Sequence, residues 1–144
     1  MIDLADFLSQ KKAMLIAPAG HGKTYTISDC ISFLEQNWWW KQLILTHTHA
    51  GVGSIKHKLN EMWVSSHMYN VETISSYIQK YVLSFYSWSD IPDQEDKKYH
   101  NFLLGKAIEV FREPNILSII QKTYTGLFVD EYQDCSLFQH ELIL

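Results

Sequence analysis

The sequence predicts an α/β fold in which a parallel sheet carries helices on both faces. Short apolar runs, typical of strands buried on both faces, alternate with segments whose apolar residues recur at helical spacing. No internal repeat and no long linker divides the 144 residues. Strands that alternate with helices form a doubly wound parallel sheet, which binds ligands at the carboxyl ends of its strands. We therefore expect a single domain over residues 1–144.

The first half of the chain predicts three strands, each followed by a helix. The strands are apolar or alternating runs bounded by polar residues or glycine. They are AMLIA (13–17), QLILT (42–46) and YNVETI (69–74). The helices are marked by apolar residues three or four positions apart. They run over about 23–36, around Ile55, Leu59 and Met62, and over 75–86.

The second half interrupts this alternation. Its segment SWSDIPDQEDKK (87–98) has the serine, proline and acid content of a connection. Two amphipathic helices, one more buried strand and the start of a last helix then follow. They are YHNFLLGKAIEVF (99–111), NILSIIQKTY (115–124), GLFVD (126–130) and a helix capped by Ser136. Residues 88–123 thus form a short helical insertion between strands.

Composition limits the class of protein. An apolar share of 47% and a charged share of 19% are typical of a globular chain. No apolar run reaches the roughly 18 residues that cross a bilayer, and the amino terminus does not resemble a signal peptide. We therefore expect a cytoplasmic protein without membrane contact. The net charge of −4 excludes a surface that binds nucleic acid throughout, but it permits a local basic strip.

The segment APAGHGKT (17–24) predicts a phosphate-binding loop between a strand and a helix. It meets the pattern G-x-x-x-x-G-K-[ST] from Gly22 onward, with Ala17 in place of the first glycine. Small residues let backbone N–H groups close around phosphate oxygens, and the following helix adds its positive end. Lys23 can reach the β- and γ-phosphates, and the Thr24 hydroxyl can ligate Mg²⁺. The alternative is a glycine-rich turn that carries a lysine. The remaining loop positions at the predicted site are Ala19, Gly20 and His21.

Two adjacent acids follow the last predicted strand. Asp130 comes directly after LFV, so we expect it at the same sheet edge as the loop, where it would coordinate Mg²⁺. Glu131 is then placed to orient and deprotonate an attacking water. The alternative is an exposed acidic turn after a strand.

Four segments, in this order, resemble motifs I, Ia, Ib and II of the superfamily 1 helicases of the UvrD/Rep type. They are APAGHGKT, LTHTHAGVGSIKHKL, VETISSY and LFVDEYQDCSLFQHELI. The resemblance implies the first RecA-like P-loop NTPase domain of such a helicase, here incomplete. It also implies that ATP and Mg²⁺ are the cofactors and that hydrolysis is coupled to movement along single-stranded DNA.

The resemblance assigns the nucleotide site to motifs I and II. It carries over to Gly20, Gly22, Lys23, Thr24, Asp130 and Glu131. Gln133 and Asp134 match the end of motif II, which in the family couples the nucleotide to the rest of the motor. Tyr25 stands where the family often has arginine, and it either stacks on adenine or packs against the protein.

The resemblance assigns contacts with single-stranded DNA to motifs Ia and Ib. The matching residues are Thr46, Thr48, His49, Thr73, Ser76 and Tyr77. Side-chain hydroxyls suit contact with the DNA backbone, which does not depend on base sequence, and Tyr77 offers a face on which a base could stack. The alternative is that these residues cap helices. Ala50, Ile74 and Ser75 replace a lysine, an aromatic residue and a histidine of the family pattern, so we expect weak DNA binding.

The resemblance also implies a parent chain with a second RecA-like domain. In the family, later motifs on the remainder of the first domain and on the second one supply the arginines that stabilise the transferring phosphoryl group, and Arg112, the only arginine here, matches none of them. We therefore expect slow ATP hydrolysis by these residues alone. One alternative is a nucleotide-dependent switch or interaction module without motor activity. A small-molecule phosphotransferase would need a substrate lid and phosphate-binding arginines that the sequence lacks.

Overall fold

The fold is known from a computed structural model that describes residues 3–9, 23–36, 41–85 and 97–131. Helices and strands alternate between residues 23 and 85 of the described part, and one short 3-10 helix lies at Ser66–Met68. The strands are β1 (Gln42–Thr46), β2 (Tyr69–Thr73) and β3 (Gly126–Val129). The helices are α1 (Leu4–Ser9), α2 (Lys23–Gln36), α3 (His49–Glu61), α4 (Ile74–Phe85), α5 (Lys97–Arg112) and α6 (Pro114–Thr123).

The three described strands form one parallel sheet in the order β2-β1-β3. The register aligns Gln42 with Tyr69 and with Gly126, so all three strands begin at one edge and end at the other. This arrangement confirms the predicted α/β class and the parallel sheet. The predicted strand over 13–17 and the helix capped by Ser136 lie outside the described residues.

Helices cover both faces of the sheet, and β1 contributes to both interiors. Leu43 and Leu45 point to a core shared with α4 and α5, whereas Ile44 points to a core shared with α2 and α3. The α4–α5 core contains Leu43, Leu45, Ile74, Tyr77, Ile78, Val82, Leu103 and Ala107. The α2–α3 core contains Ile31, Ile44, Ile55, Leu59, Val64 and Val71. The alternation along β1 follows from the two-residue period of a strand.

Strand β3 differs from the sequence prediction of a strand buried on both faces. Leu127 is 44% exposed, whereas every residue of β1 is buried. Within the described residues, β3 pairs only with β1 and lies at the edge, whereas β1 is central.

Two helices begin earlier than the sequence pattern indicated, and one further helix was not predicted. Helix α3 begins at His49 because the Thr48 hydroxyl accepts the Gly51 N–H at 3.0 Å and caps the first turn. Helix α5 begins at Lys97, within the segment predicted as a connection. Helix α1 was not predicted, and Asp3 caps it by accepting the Ala5 N–H at 3.0 Å. No helix of the described residues is both long and apolar enough to cross a membrane.

Helix α3 ends in a turn that forces Trp63 into the left-handed region. The Val64 N–H donates to the Leu59 carbonyl and the Trp63 N–H donates to the Asn60 carbonyl, both at 3.1 Å. This is the hydrogen-bond pattern of a Schellman motif, in which glycine is the usual residue at the left-handed position. Trp63 has φ of 60° and is 92% exposed. The motif is sealed by Leu59 and Val64, which are both buried in the α2–α3 core.

Substituting Trp63→Gly is expected to raise the free energy of unfolding by about 1 kcal/mol, because a side chain costs roughly that much in left-handed backbone. The exposed indole has few contacts to lose. Urea unfolding monitored by circular dichroism measures the change, with Trp63→Ala as the control that removes the indole and keeps the strain. Equal stability of the two variants would contradict this explanation.

Candidate functional site

The carboxyl edge of the sheet gathers three buried polar residues. Thr46 ends β1, Thr73 ends β2 and Asp130 directly follows β3, and all three are buried. The parallel register brings these positions to one side of the molecule. Ligands bind at this edge in doubly wound α/β sheets, so it is the candidate functional site.

Asp130 and Glu131 form a tight turn at this edge. The Asp130 N–H donates to the Leu45 carbonyl at 2.9 Å, which extends the pairing of β3 with β1 by one residue. The Glu131 N–H donates to the Asp130 Oδ1 at 3.1 Å, and Glu131 has φ of 54°. A non-glycine residue in the left-handed region costs about 1 kcal/mol, and such strain clusters at functional sites. The predicted acidic pair therefore lies in a constrained turn, with Asp130 buried and Glu131 half-buried.

The end of β1 packs closely against the start of α3. A Cβ atom at Gly51 would lie 2.7 Å from the Thr46 Oγ1 and 3.2 Å from the Thr48 Oγ1, so only glycine fits here. Gly51 is thus a positioning residue that the sequence analysis did not single out. The sequence feature that could have identified it is a glycine in the first turn of a helix, where glycine is otherwise unfavourable.

The end of β2 is joined to α4 by a hydroxyl pair. The Thr73 hydroxyl accepts the Ser76 N–H at 3.0 Å and donates to the Ser76 Oγ at 2.8 Å. Thr73 therefore caps α4 as Thr48 caps α3. The capping roles that the sequence analysis considered as an alternative are present for both threonines, and their contact with DNA stays a prediction.

Tyr77 does not offer the stacking face that the sequence analysis predicted. Its side chain is 5% exposed, and its ring lies 5.1 Å from that of Tyr81 and 6.1 Å from that of Phe111, centroid to centroid. Burial raises the pKa of the Tyr77 hydroxyl well above its ordinary value. The reason is helical spacing, since Tyr77 shares the apolar face of α4 with Ile74 and Ile78 in the α4–α5 core.

The other residues that were predicted to contact DNA differ in the solvent exposure of their side chains. Thr48, His49 and Ser76 are exposed, whereas Thr46 is buried beside Gly51. The accessible candidates thus lie at the amino-terminal turns of α3 and α4, at the same carboxyl edge of the sheet as the acidic turn.

The predicted phosphate-binding loop lies largely outside the described residues. Ala19, Gly20, His21 and Gly22 belong to that part, as do Gln133 and Asp134 of the second motif. Lys23 and Thr24 begin α2, as predicted from the strand-loop-helix pattern, but the placement of their side chains is not described. The convergence of Lys23 and Asp130 on one phosphate group stays a prediction.

Tyr25 is the first described side chain after the loop. It is 54% exposed, and the Lys58 Nζ lies 4.0 Å from the centroid of its ring. A cation at this distance from an aromatic ring is attracted to it. Of the two roles considered for Tyr25, packing against the protein is therefore present, with Lys58 of α3 as the partner.

The described donor set fits Mg²⁺ held jointly by the protein and a phosphate group. Of the predicted Mg²⁺ ligands, the structure describes the side chain of Asp130, whose carboxylate is a hard oxygen donor of the kind that suits Mg²⁺. Within the described residues, no three histidine, cysteine or acidic side chains cluster as a metal site. Few protein ligands are expected where substrate phosphates complete the coordination of Mg²⁺.

Comparison with known proteins identifies the family of the chain. No curated protein matches the chain. A family model described as an AAA domain matches residues 3–144, which is nearly the whole sequence. The chain therefore belongs to the AAA domain family, a group of nucleotide-binding P-loop NTPases.

Proposed function

We propose that this chain is the ATP-binding domain of a motor that couples hydrolysis of Mg²⁺-bound ATP to movement along single-stranded DNA. The observation that supports the proposal is that two groups of predicted site residues lie at one edge of the sheet. The acidic turn at Asp130 lies at the carboxyl edge of the sheet. The exposed residues that are predicted to contact single-stranded DNA lie at the same edge, and they are Thr48, His49 and Ser76. In this proposal, the nucleotide and the single-stranded DNA therefore bind at the same edge of the sheet.

Each predicted nucleotide residue has one role in this proposal. Lys23 and the loop N–H groups bind the phosphates, while Thr24 and Asp130 hold Mg²⁺. The bound nucleotide supplies an electrophilic terminal phosphoryl group. Glu131 orients the attacking water and accepts its proton. Gln133 responds to the state of the nucleotide.

A short path of backbone contacts supports coupling between the two parts of this edge. The Asp130 N–H bonds to the Leu45 carbonyl, and Leu45 precedes Thr46 in β1. Thr46 in turn packs on Gly51 at the start of α3, where Thr48 and His49 are exposed. A shift of the acidic turn would therefore move the first turn of α3, because closely packed groups transmit displacement.

An alternative function is a nucleotide-dependent switch without motor activity. Burial of Thr46, Thr73 and Tyr77 favours it, since these three of the predicted DNA contacts have little free surface. A switch would bind nucleotide in the same way, but its nucleotide affinity would not respond to DNA.

Titration of a fluorescent ATP analogue into the wild-type chain and into Lys23→Ala, with and without single-stranded DNA, tests the proposal. We expect Lys23→Ala to weaken Mg²⁺-dependent binding by at least about tenfold, because a lysine–phosphate contact is a charge-assisted hydrogen bond. Single-stranded DNA should change the affinity of the wild type.

A matched control is Lys122→Ala, which removes an exposed lysine of α6. It should bind nucleotide like the wild type. Equal binding by Lys23→Ala would contradict the nucleotide site itself. If nucleotide binding depends on Lys23 but its affinity does not change when single-stranded DNA is added, the result would instead support the switch.

A further inference from the structure

A polar groove lies at the amino edge of the sheet, opposite the candidate nucleotide site. Lys41 directly precedes β1 and Asn70 lies near the start of β2, while Lys56 and Asn60 belong to α3 and Ser66 to the 3-10 helix. The groove has a volume of about 650 Å³. Each strand advances roughly 3.3 Å per residue, so β1 and β2 separate the groove from the carboxyl edge by on the order of 15 Å.

The described residues that line this groove include two lysines and His57 and no carboxylate, although Glu61 contacts His57 and Glu35 accepts the Ser65 N–H nearby. Within the described residues, Lys41 and Lys56 have no ion-pair partner, whereas Lys58, Lys80 and Lys106 each pair with a glutamate. His57 lies 3.1 Å from Glu61, so the positive charge of the groove comes chiefly from the two lysines. A chain with net charge −4 thus has a local cationic groove.

The backbone around the groove is well anchored. The Lys41 carbonyl accepts the Thr125 N–H at 3.0 Å, which fixes Lys41 at the start of the central strand. The Ser65 N–H donates to the Glu35 carboxylate at 3.3 Å, which fixes the residue before Ser66 to α2. Lysine cations together with neutral donors such as Asn60 and Ser66 suit phosphate oxygens, which accept from both kinds of group.

Trp63 does not line the groove, but it carries an exposed aromatic ring close to it along the chain. It lies on the turn between Asn60 and Ser66, both of which line the groove, and its N–H donates to the Asn60 carbonyl. The indole is 92% exposed, and its backbone is strained. An exposed aromatic ring next to lysines is the combination by which proteins bind single strands, since bases stack on the ring and phosphates contact the cations. A free phosphate or an acidic peptide would need no such ring.

We propose that this groove binds a single-stranded nucleic acid, with phosphates on Lys41 and Lys56 and a base stacked on Trp63. It is a second nucleic-acid site, separate from the predicted DNA contacts at the carboxyl edge. It requires neither bound nucleotide nor motor activity.

Fluorescence anisotropy with a labelled oligothymidylate about twelve nucleotides long tests the proposal in the absence of ATP. The variant Lys41→Gln/Lys56→Gln should weaken binding by about tenfold or more. The slope of log affinity against log salt should also fall by about 1.4, because each phosphate contact on a single strand contributes about 0.7. Trp63→Ala should weaken binding by about tenfold and leave the salt slope unchanged.

The matched control is Lys106→Gln/Lys122→Gln, which removes the same charge from lysines outside the groove. It should bind like the wild type. Equal losses in the two double variants would overturn the site, because net charge alone would then explain binding. If polyglutamate competes as strongly as unlabelled oligothymidylate, the proposal is overturned in favour of an acidic protein partner. If millimolar inorganic phosphate competes, the proposal is overturned in favour of a simple anion pocket.

A distinct result would separate this inference from the proposed function. If Lys23→Ala abolishes ATP binding but leaves oligothymidylate binding intact, the groove stands independently of the nucleotide site. If the groove variants bind oligothymidylate normally while Lys23-dependent ATP binding persists, the proposed function stands and the groove proposal fails.

Discussion

Substituting Asp130→Asn is expected to remove most of the Mg²⁺ dependence of nucleotide binding, whereas Glu131→Gln should preserve it. The two acids are adjacent, but Asp130 is buried at the strand end and Glu131 occupies the strained turn. Loss of a charged metal ligand should weaken Mg²⁺-dependent binding by at least about tenfold, comparable to the loss of a supporting group around a metal. Titration of a fluorescent ATP analogue with Mg²⁺ and with a chelator measures this difference.

The same pair of variants separates binding from turnover. Glu131→Gln should lower single-turnover hydrolysis of ATP by on the order of a hundredfold, because it removes the group that accepts the proton of the attacking water. The isosteric amide keeps the turn, so nucleotide affinity serves as the internal control. If Glu131→Gln lost Mg²⁺-dependent binding and Asp130→Asn kept it, the assigned roles would be reversed.

Substituting Tyr77→Ala is expected to lower the free energy of unfolding by about 3 kcal/mol, since truncation of a buried aromatic residue leaves a cavity. Tyr77 packs against Tyr81 and Phe111 and is almost fully buried. Urea unfolding measures the change. Ser75→Ala, an exposed position two residues earlier on the same helix, should stay within about 0.5 kcal/mol of the wild type.

This experiment also decides the role of Tyr77 in nucleic-acid binding. Tyr77→Phe keeps the ring in the core and should retain most of the stability. If Tyr77→Ala instead kept wild-type stability and lost affinity for single-stranded DNA, the ring would be a binding surface after all. The burial of its ring predicts the opposite result.

The element order was predictable because strands and helices follow local patterns of apolar residues. QLILT became β1 with all five residues buried, and the segment after Lys23 became α2. The acidic pair was correctly placed after a strand, because Asp130 directly follows an apolar run. The start of α3 was missed, since the hydroxyl of Thr48 sets it and the apolar spacing does not.

The accessibility of candidate residues was not predictable in the same way. Thr46, Thr73 and Tyr77 look as suitable for DNA contact as Thr48 and Ser76 when only residue types and spacing are known. Their burial depends on helices and strands that are distant in the sequence, such as α5 against Tyr77. Propensity describes what a residue favours locally, and packing decides which of its faces stays free.

The parallel α/β class, the order of the motifs and the acids that follow β3 could be predicted, because they depend on short-range patterns and on residue chemistry. The close approach of Gly51 to Thr46 and the left-handed backbone of Trp63 became known only from the folded chain. The tertiary structure also brought Lys41, Lys56 and Ser66 to one groove at the amino edge. The physical reason is that shared burial and shared edges arise from contacts between segments far apart in the chain, which local patterns do not encode.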